Sequence, residues 1–365
     1  MPVSSQHKVY IPNSSRDNQY LLAEFSLTDA ILARFGAPMV DSAEPFKEFY
    51  LQLGKIFFEL ADQAGLRNVH LIANGKTPVV RFHTEAYTLQ TAEQILFFYN
   101  PAYHEAQNSF FNPAEKARKV SLLFLATDAN IRANAAEFHN KVRGLLQRFS
   151  DEINSPELKI KVRDHQHLTY DLFAKQKGVK DSYGYKLRSL DARYKARNCE
   201  LPAEHSALTY VIINLPLSRY VKEQVTIDAK SDRPYTELYQ LIQDQFVEAT
   251  SLNKLTHRAV LANGLLPLVR NSKFDKMSTG KELQMIGFDT SVSEGQLIAD
   301  WDDSNLVESA QLIIFATKDD YTDMGYGRFM NQVETALRRF AKGVNLNPER
   351  DDLVVRFHQH ISYHL

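Results

Sequence analysis

The sequence contains two similar copies of one long segment, and this repeat constrains the fold more than any single residue. Residues 73–81, ANGKTPVVR, recur as residues 262–270, ANGLLPLVR, and residues 163–170, RDHQHLTY, recur as residues 356–363, RFHQHISY. The offset between equivalent residues only drifts from 189 (Pro45 to Pro234) to 193 (His165 to His358), so insertions are confined to loops. Each copy is far longer than a solenoid repeat. We therefore predict two pseudo-symmetric domains rather than an array.

Both copies show the same order of predicted elements: a strand, a helix, several antiparallel strands, a second helix and a last strand. Apolar residues at three- and four-residue spacings predict a helix after Pro45 and a second helix over residues 131–150. The apolar stripe of the first of these helices consists of Phe46, Phe49, Leu53, Ile56, Phe57 and Leu60, and the second copy repeats it with Tyr235, Leu238, Ile242, Phe246 and Ala249. The Asn-Gly pairs at residues 74–75 and 263–264 predict tight hairpin turns. This order indicates an α+β fold with an internal duplication, as two tandem ferredoxin-like domains related by pseudo-twofold symmetry. We place the first domain at residues 1–173 and the second at residues 207–365.

Residues 174–206 change in composition, show no clear core pattern and are predicted to form the linker. Basic residues outnumber acidic ones there and are interleaved with tyrosines. Because basic side chains neutralise phosphates and tyrosines stack on bases, the linker is a candidate for holding single-stranded RNA, although a solvated connector explains the same residues. The candidate nucleic-acid contacts are Lys186, Arg188, Arg193, Lys195 and Arg197.

Composition excludes several classes of protein. The 365 residues include 43 Lys and Arg against 44 Asp and Glu, and this net charge of -1 gives no global attraction to nucleic acid or to anionic membranes. No stretch approaches the roughly 18 apolar residues of a membrane span, and the start lacks a secretory leader, which predicts a soluble, cytoplasmic protein without a membrane partner. The single cysteine, Cys199, excludes an internal disulfide framework.

The strongest chemical signal is a polar strand face that both copies repeat. Successive side chains on a strand point to opposite faces, so alternate residues share one side. In the first copy this side carries Arg163, His165, His167 and Thr169. In the second copy it carries Arg356, His358, His360 and Ser362. Lys or Glu would keep such a face solvated equally well, so the repeated choice of His, His and a hydroxyl indicates chemistry.

Two chemistries fit this face. Four imidazoles on two strands can ligate a metal, but the copies share no carboxylate there and two arginines would repel a dication, so we predict no metal and no other cofactor. Alternatively, Arg and hydroxyl groups hold an anion while one histidine takes a proton and another gives one. That combination is what phosphodiester chemistry without a metal requires.

Residues 167–170, HLTY, and 360–363, HISY, together with the strand YVIINLP at residues 210–216, resemble motifs of the two-histidine phosphoesterase superfamily. The resemblance implies that His167 and His360 are the acid and base that act on a 2′,3′-cyclic or related phosphodiester. It also implies that Thr169 and Ser362 bind the phosphate. Arg163 and Arg356 are then further phosphate contacts, with His165 and His358 in supporting positions.

The sequence leaves three classes of function open. The most concrete hypothesis is a metal-independent phosphodiesterase, or an RNA-processing or RNA-binding protein, that uses the paired histidine strands on RNA or a nucleotide phosphodiester. The alternatives are a structural or interaction protein without catalysis and a metal- or haem-binding protein, since tandem ferredoxin-like proteins include guide-RNA-processing endoribonucleases and haem-binding peroxidase relatives. Whether the chain is an enzyme is therefore open at this point.

Overall fold

The computed structural model describes most of the chain, with gaps. The described residues are 5–12, 16–75, 78–82, 87–90, 95–99, 105–126, 135–155, 158–171, 194–201, 205–217, 227, 230–271, 278–279, 283–288, 295–317, 320, 325–346 and 353–365. Within them, no helix is long and apolar enough to cross a membrane.

Both halves of the chain contain helices and strands. The first half forms β1 (Ser5–Pro12), β2 (Arg16–Ser26), α1 (Asp29–Arg34), α2 (Lys47–Gln63), β3 (Asn68–Ala73), β4 (Pro78–Phe82), β5 (Tyr87–Gln90), β6 (Ile95–Tyr99), β7 (Ala106–Phe111), β8 (Lys119–Leu125), α3 (Ala135–Glu152) and β9 (Lys161–Asp171). The second half forms β10 (Tyr194–Leu201), β11 (His205–Pro216), α4 (Thr236–Leu252), β12 (Arg258–Ala262), β13 (Leu266–Asn271), β14 (Ser278–Thr279), β15 (Leu283–Phe288), β16 (Leu297–Trp301), β17 (Ser309–Phe315), α5 (Gly325–Gly343) and β18 (Val354–His364).

A mixed, mostly antiparallel sheet of ten strands forms the centre of the molecule. Its order is β16-β12-β17-β11-β18-β9-β2-β8-β3-β7. All neighbouring strands are antiparallel except the edge pairs β3–β7 and β12–β16, which are parallel. Five neighbouring strands of the sheet therefore come from the first half of the chain and the other five from the second half. The halves meet where β9 pairs with β18. The predicted α+β class is confirmed.

Helices cover one face of the sheet because their apolar stripes match its apolar side. Phe49, Leu53 and Phe57 of α2 are fully buried or nearly so, and they pack with Phe138 and Phe149 of α3 over the first half of the sheet. A second cluster, built on α4 and α5, covers the other half in the same way. Burial of these side chains, at roughly 1.5–3 kcal/mol each, accounts for the helices.

The opposite face of the sheet carries two small three-stranded sheets. These have the orders β4-β6-β5 and β13-β15-β14. Tyr20, Leu22 and Val80 share one small core on this side, and Leu208, Tyr210 and Ile286 belong to the corresponding core of the second half. Even-numbered residues of β2 thus face away from the helices. The β9 residues paired with them, such as His165 opposite Tyr20, face the same way.

The two Asn-Gly turns differ from the predicted hairpins. Gly75 and Gly264 have φ angles of 74° and 75°, so the turn itself forms as the sequence indicates. The strands on either side do not pair, however, because β3 lies in the large sheet whereas β4 lies in a small one. The hairpin prediction is therefore wrong: the turn moves the chain from one sheet to another.

The predicted linker contains more regular structure than its sequence indicated. Residues 194–201 form β10, which pairs with β1 in a separate two-stranded antiparallel sheet, and β11 already begins at His205. Alternation in the segment YKARNCEL is too weak to reveal a strand, because the pairing with a distant segment decides its conformation.

A buried tyrosine ties α2 in the first half and α4 in the second half to the turn before a central strand. The Tyr50 hydroxyl donates to the Glu115 carbonyl at 3.0 Å and accepts from Ala117 N at 2.8 Å. The Tyr239 hydroxyl does the same with Asn305 O at 2.7 Å and Val307 N at 3.2 Å. The sequence stripe did not include either tyrosine.

Replacing Tyr50 by phenylalanine is expected to lower the free energy of unfolding by about 1–3 kcal/mol, because it leaves the backbone groups of Glu115 and Ala117 without this partner. Chemical denaturation followed by circular dichroism measures the change. Tyr235→Phe is the matched control, since the half-buried Tyr235 hydroxyl makes no hydrogen bond within the described residues, and its effect should stay within about 0.5 kcal/mol. Equal losses in both variants would contradict the assignment.

Stability is also expected to fall at alkaline pH. Burial raises the pKa of Tyr50 and of Tyr239 above the ordinary value of 10.0, more than their backbone hydrogen bonds lower it. The unfolded chain therefore loses these protons at a lower pH than the folded chain does. Their stabilising contribution is complete below pH 10 and declines as the pH rises through the folded-state pKa. Unfolding measured between pH 9 and 11 should show a shallower decline for Tyr50→Phe than for the natural protein.

Candidate functional site

The pairing of β9 with β18 brings the two predicted histidine strands side by side. His167 lies directly opposite His360, His165 opposite Ser362, and Thr169 opposite His358. Directly paired residues of an antiparallel sheet point to the same face, with Cβ atoms about 4.5–5.5 Å apart. His165 also stacks on Tyr20, so this is the face away from the helices. Residues far apart in the sequence thus form one cluster.

The four imidazoles contact each other in two equivalent pairs. His165 Nδ1 lies 3.4 Å from His360 Nε2, and His358 Nδ1 lies 3.4 Å from His167 Nε2. The ring centroids are 5.5 Å apart in both pairs, and the rings are stacked. Between the pairs, the His167 and His360 rings are nearly perpendicular at 6.0 Å. Each supporting histidine thus contacts Nε2 of the predicted catalytic histidine from the other half.

A tyrosine closes each end of this row. Tyr20 stacks on His165 with ring centroids 4.5 Å apart and an angle of 6°. Tyr210 stacks on His358 with a distance of 4.7 Å and an angle of 4°. These flat contacts fix the outer imidazoles, which in turn position the inner ones. We call the row the histidine ladder, and its members are, in order, Tyr20, His165, His360, His167, His358 and Tyr210.

The ladder is partly accessible. His358 and His167 are only 4% and 8% exposed, whereas His165, His360 and Ser362 are half-buried. The two predicted catalytic histidines therefore have different environments. Such a difference is what separates an acid from a base in a pair of chemically identical groups.

The predicted arginines do not join the cluster. Arg163 and Arg356 are exposed and lie at opposite ends of the β9–β18 pair, Arg163 opposite His364 and Arg356 opposite Asp171. Each is four residues along its strand from the central His167–His360 pair, or about 14 Å at the usual rise. One phosphate at the centre therefore cannot contact both guanidinium groups through short hydrogen bonds. Of the predicted hydroxyls, Ser362 lies beside His165, while only the backbone of Thr169 is described.

The predicted nucleic-acid contacts of the linker remain largely untested. Lys186, Arg188 and Arg193 lie outside the described residues. Lys195 and Arg197 are on β10, opposite Ile11 and Val9 of β1, and alternation puts both on the same face of that strand. Their side chains also lie outside the described part. Among the side chains that are described, no group of three or more His, Cys, Asp or Glu could hold a metal ion.

The sequence interpretation missed a second polar cluster, on the helix face directly behind the ladder. Asp164 is fully buried and accepts hydrogen bonds from the Tyr363 hydroxyl at 2.6 Å and from the Gln19 and Gln166 amides at 3.2 and 3.4 Å. His139 Nε2 lies 2.9 Å from the same carboxylate. We call these five residues the Asp164 network. The signal was available, because strand alternation puts Asp164 on the same face as Ile160 and Val162.

Comparison with known proteins supplies a family but no activity. The model of a family described as "Protein of unknown function (DUF3083)" matches residues 48–363. No curated protein matches the chain significantly. Among solved structures, the chain has weak similarity to apo TRI101 of F. graminearum, with 9% identity and a TM-score of 0.19 over 95% of this chain and 79% of that chain. For F. sporotrichioides TRI101 complexed with coenzyme A and T-2, the values are 11%, 0.16, 93% and 78%. Scores this low carry no argument.

Proposed function

Because the chain belongs to the DUF3083 family of proteins of unknown function, its activity must be inferred from its own residues, and we propose metal-independent phosphodiester chemistry at the histidine ladder. The substrate class is a 2′,3′-cyclic or related phosphodiester of a nucleotide or RNA. One observation carries the proposal: the strand register places His167 opposite His360 on a single face. A cytoplasmic location fits such a substrate.

The proposed reaction is a hydrolysis with balanced proton transfers. One of His167 and His360 takes a proton from water as the water oxygen attacks phosphorus. The other gives a proton to the ribose oxygen as its bond to phosphorus breaks. Both histidines are needed in different protonation states, and the different burial of the two rings supports that division.

We assign the outer histidines the role of positioning and relaying protons. Each contacts Nε2 of an inner histidine through its own Nδ1. In each pair, one of the two contacting nitrogens carries the proton and the other accepts it as a hydrogen bond. The tautomer of one ring therefore determines the tautomer of the other. A proton taken up by His360 therefore changes the state of His165. In this role His165 and His358 act through their neighbours rather than on the substrate.

The phosphate contacts follow from the same register. Ser362 and Thr169 flank the central pair at equivalent positions, so we propose that their hydroxyls bind the phosphate oxygens. Arg163 and Arg356 lie further out and would bind neighbouring phosphates of a longer substrate rather than the one that reacts. This arrangement favours a short single-stranded RNA with several phosphates over a mononucleotide.

We also propose that the two halves arose by duplication of a ferredoxin-like unit. In chain order, the four main strands of the large sheet are β2, β3, β8 and β9 in the first half and β11, β12, β17 and β18 in the second. Their order in the sheet, β9-β2-β8-β3 and β18-β11-β17-β12, is in both halves fourth, first, third, second, and β7 and β16 add equivalent edge strands. His167 and His360, equivalent in the repeat, are also paired in the sheet, so a pseudo-twofold axis would pass between them. The residue pairs Tyr20 and Tyr210, and Tyr50 and Tyr239, support the same equivalence.

The test is hydrolysis of 2′,3′-cyclic AMP and of a short single-stranded RNA by the purified full chain in the presence of EDTA, followed by phosphorus NMR. We expect turnover that EDTA does not reduce. His364→Ala is the matched control and should keep full turnover, because His364 is exposed on the same strand but outside the ladder. Absence of turnover on both substrates, or turnover that requires added metal, would sink the proposal in favour of a non-catalytic or metal-binding protein.

A further inference from the structure

A cavity on the helix face of the sheet has a polarity that suits one class of ligand. It lies between α3 and the strands β2 and β9, and its volume is about 210 Å³. Its apolar wall includes Leu21, Val142, Leu146, Ile160 and Val162. The cavity thus has room for a small molecule with an apolar body.

The rest of the cavity wall is formed by four polar side chains, His139, Arg143, Gln147 and Ser150, together with Leu158 and Leu365. His139 and Arg143 are one helical turn apart on α3, and both line the cavity, whereas no Asp or Glu does. Arg143 is an exposed side chain and has no ion-pair partner within the described part of the chain. The charge of Arg143 is therefore available to an anionic group that enters beside it.

The Asp164 network fixes the orientation of His139. The buried Asp164 carboxylate contacts Nε2 of the His139 ring, so Nδ1 is the ring nitrogen that can contact a ligand. A fully buried carboxylate is costly unless it is well compensated, and a core of this kind does not need one for stability. The corresponding positions of the second half are apolar: Met330 and Phe357 align with His139 and Asp164 and are buried in an apolar core.

We propose that this cavity binds a small monocarboxylic acid with an apolar chain. The carboxylate contacts Arg143 and Nδ1 of His139, and the chain packs against the aliphatic wall. This site is separate from the histidine ladder, which lies on the other face of β9, and it does not rest on phosphodiesterase activity. The Asp164 network would then be present in the first half because it orients a ligand-binding histidine. The equivalent positions in the second half, which bind no ligand, hold the apolar residues Met330 and Phe357.

The experiment is titration of the full chain with hexanoate, followed by ligand-detected NMR and by the shift of the unfolding temperature. Hexylamine, which has the same chain and the opposite charge, is the probe control. We expect hexanoate to bind and hexylamine not to. Arg143→Gln should weaken hexanoate binding about tenfold or more, as expected for a lost hydrogen bond to a charged group. Arg148→Gln, which removes the same charge from an exposed position of α3 that does not line the cavity, should change it less than twofold.

A second variant replaces His139 and Asp164 by the residues at the equivalent positions of the second half. His139→Met combined with Asp164→Phe should abolish hexanoate binding while the protein stays folded. No binding of hexanoate to the natural protein, or equal affinities of Arg143→Gln and Arg148→Gln, would overturn the proposal even if the double variant does not fold. Turnover of phosphodiesters is not used in any of these measurements, so the two proposals succeed or fail separately.

Discussion

Turnover of the phosphodiester is expected to fall about 10²–10⁴-fold when either His167 or His360 is replaced by alanine, the range typical for loss of a general acid or base. Each variant removes one of the two proton transfers and leaves the other in place. The combined variant should be little slower than either single one, because groups that act as a unit have non-additive effects. Initial rates with 2′,3′-cyclic AMP at saturating concentration measure the effect.

The outer histidines provide the discriminating comparison. His165 contacts His360, and His358 contacts His167, so His165→Ala should lower turnover less than His360→Ala does and should also shift the pH profile of the remaining activity. A purely structural role would lower the rate at all pH values alike. Turnover of His167→Ala or His360→Ala within tenfold of the natural protein, with the fold intact by circular dichroism, would show that the ladder is not the catalytic site.

Asp164→Ala is expected to lower the free energy of unfolding by about 3–5 kcal/mol, the usual cost of removing one partner from a buried charged cluster. Four side chains that donate to or pair with the carboxylate lose their common acceptor, and the half-buried Tyr363 loses its 2.6 Å hydrogen bond. The loss spans both halves, because Asp164 lies on β9 and Tyr363 on β18. Urea denaturation of the variant and of the natural protein gives the difference.

Two further variants separate the causes of that loss. Tyr363→Phe removes one hydrogen bond to the carboxylate and should cost about 1.5–3 kcal/mol. Asp164→Phe with His139→Met removes the carboxylate and its histidine partner together, and it should regain much of the stability that Asp164→Ala loses. A cost below about 1 kcal/mol for Asp164→Ala would mean that the network does not hold the strands together.

Local patterns in the sequence predicted the elements well, because a helix or a strand face depends on neighbouring residues. The stripe through Phe49, Leu53 and Phe57 and the alternation of His165 and His167 are read from a few positions and hold in the structure. The hairpins at Asn74 and Asn263 were wrong for the complementary reason. An Asn-Gly pair determines how the chain turns, whereas the choice of the next strand's partner depends on distant residues.

The candidate site shows the same limit. The repeat identified the histidines, but their contacts depend on the register between β9 and β18, which local sequence does not determine. A shift of one residue would put His360 on the helix face and separate the rings. The arginines illustrate the point: Arg163 and Arg356 are equivalent in the repeat, yet antiparallel pairing places them far apart. Asp164 was missed because the comparison of copies finds shared residues, and Phe357 stands in its place.

The seam between β9 and β18 also determines how this protein can move. The strands pair over nine residue positions, so backbone hydrogen bonds join the two halves into one continuous sheet. A hinge rotation between the two halves, one way in which two-lobed proteins admit ligands, would have to break the backbone hydrogen bonds between β9 and β18.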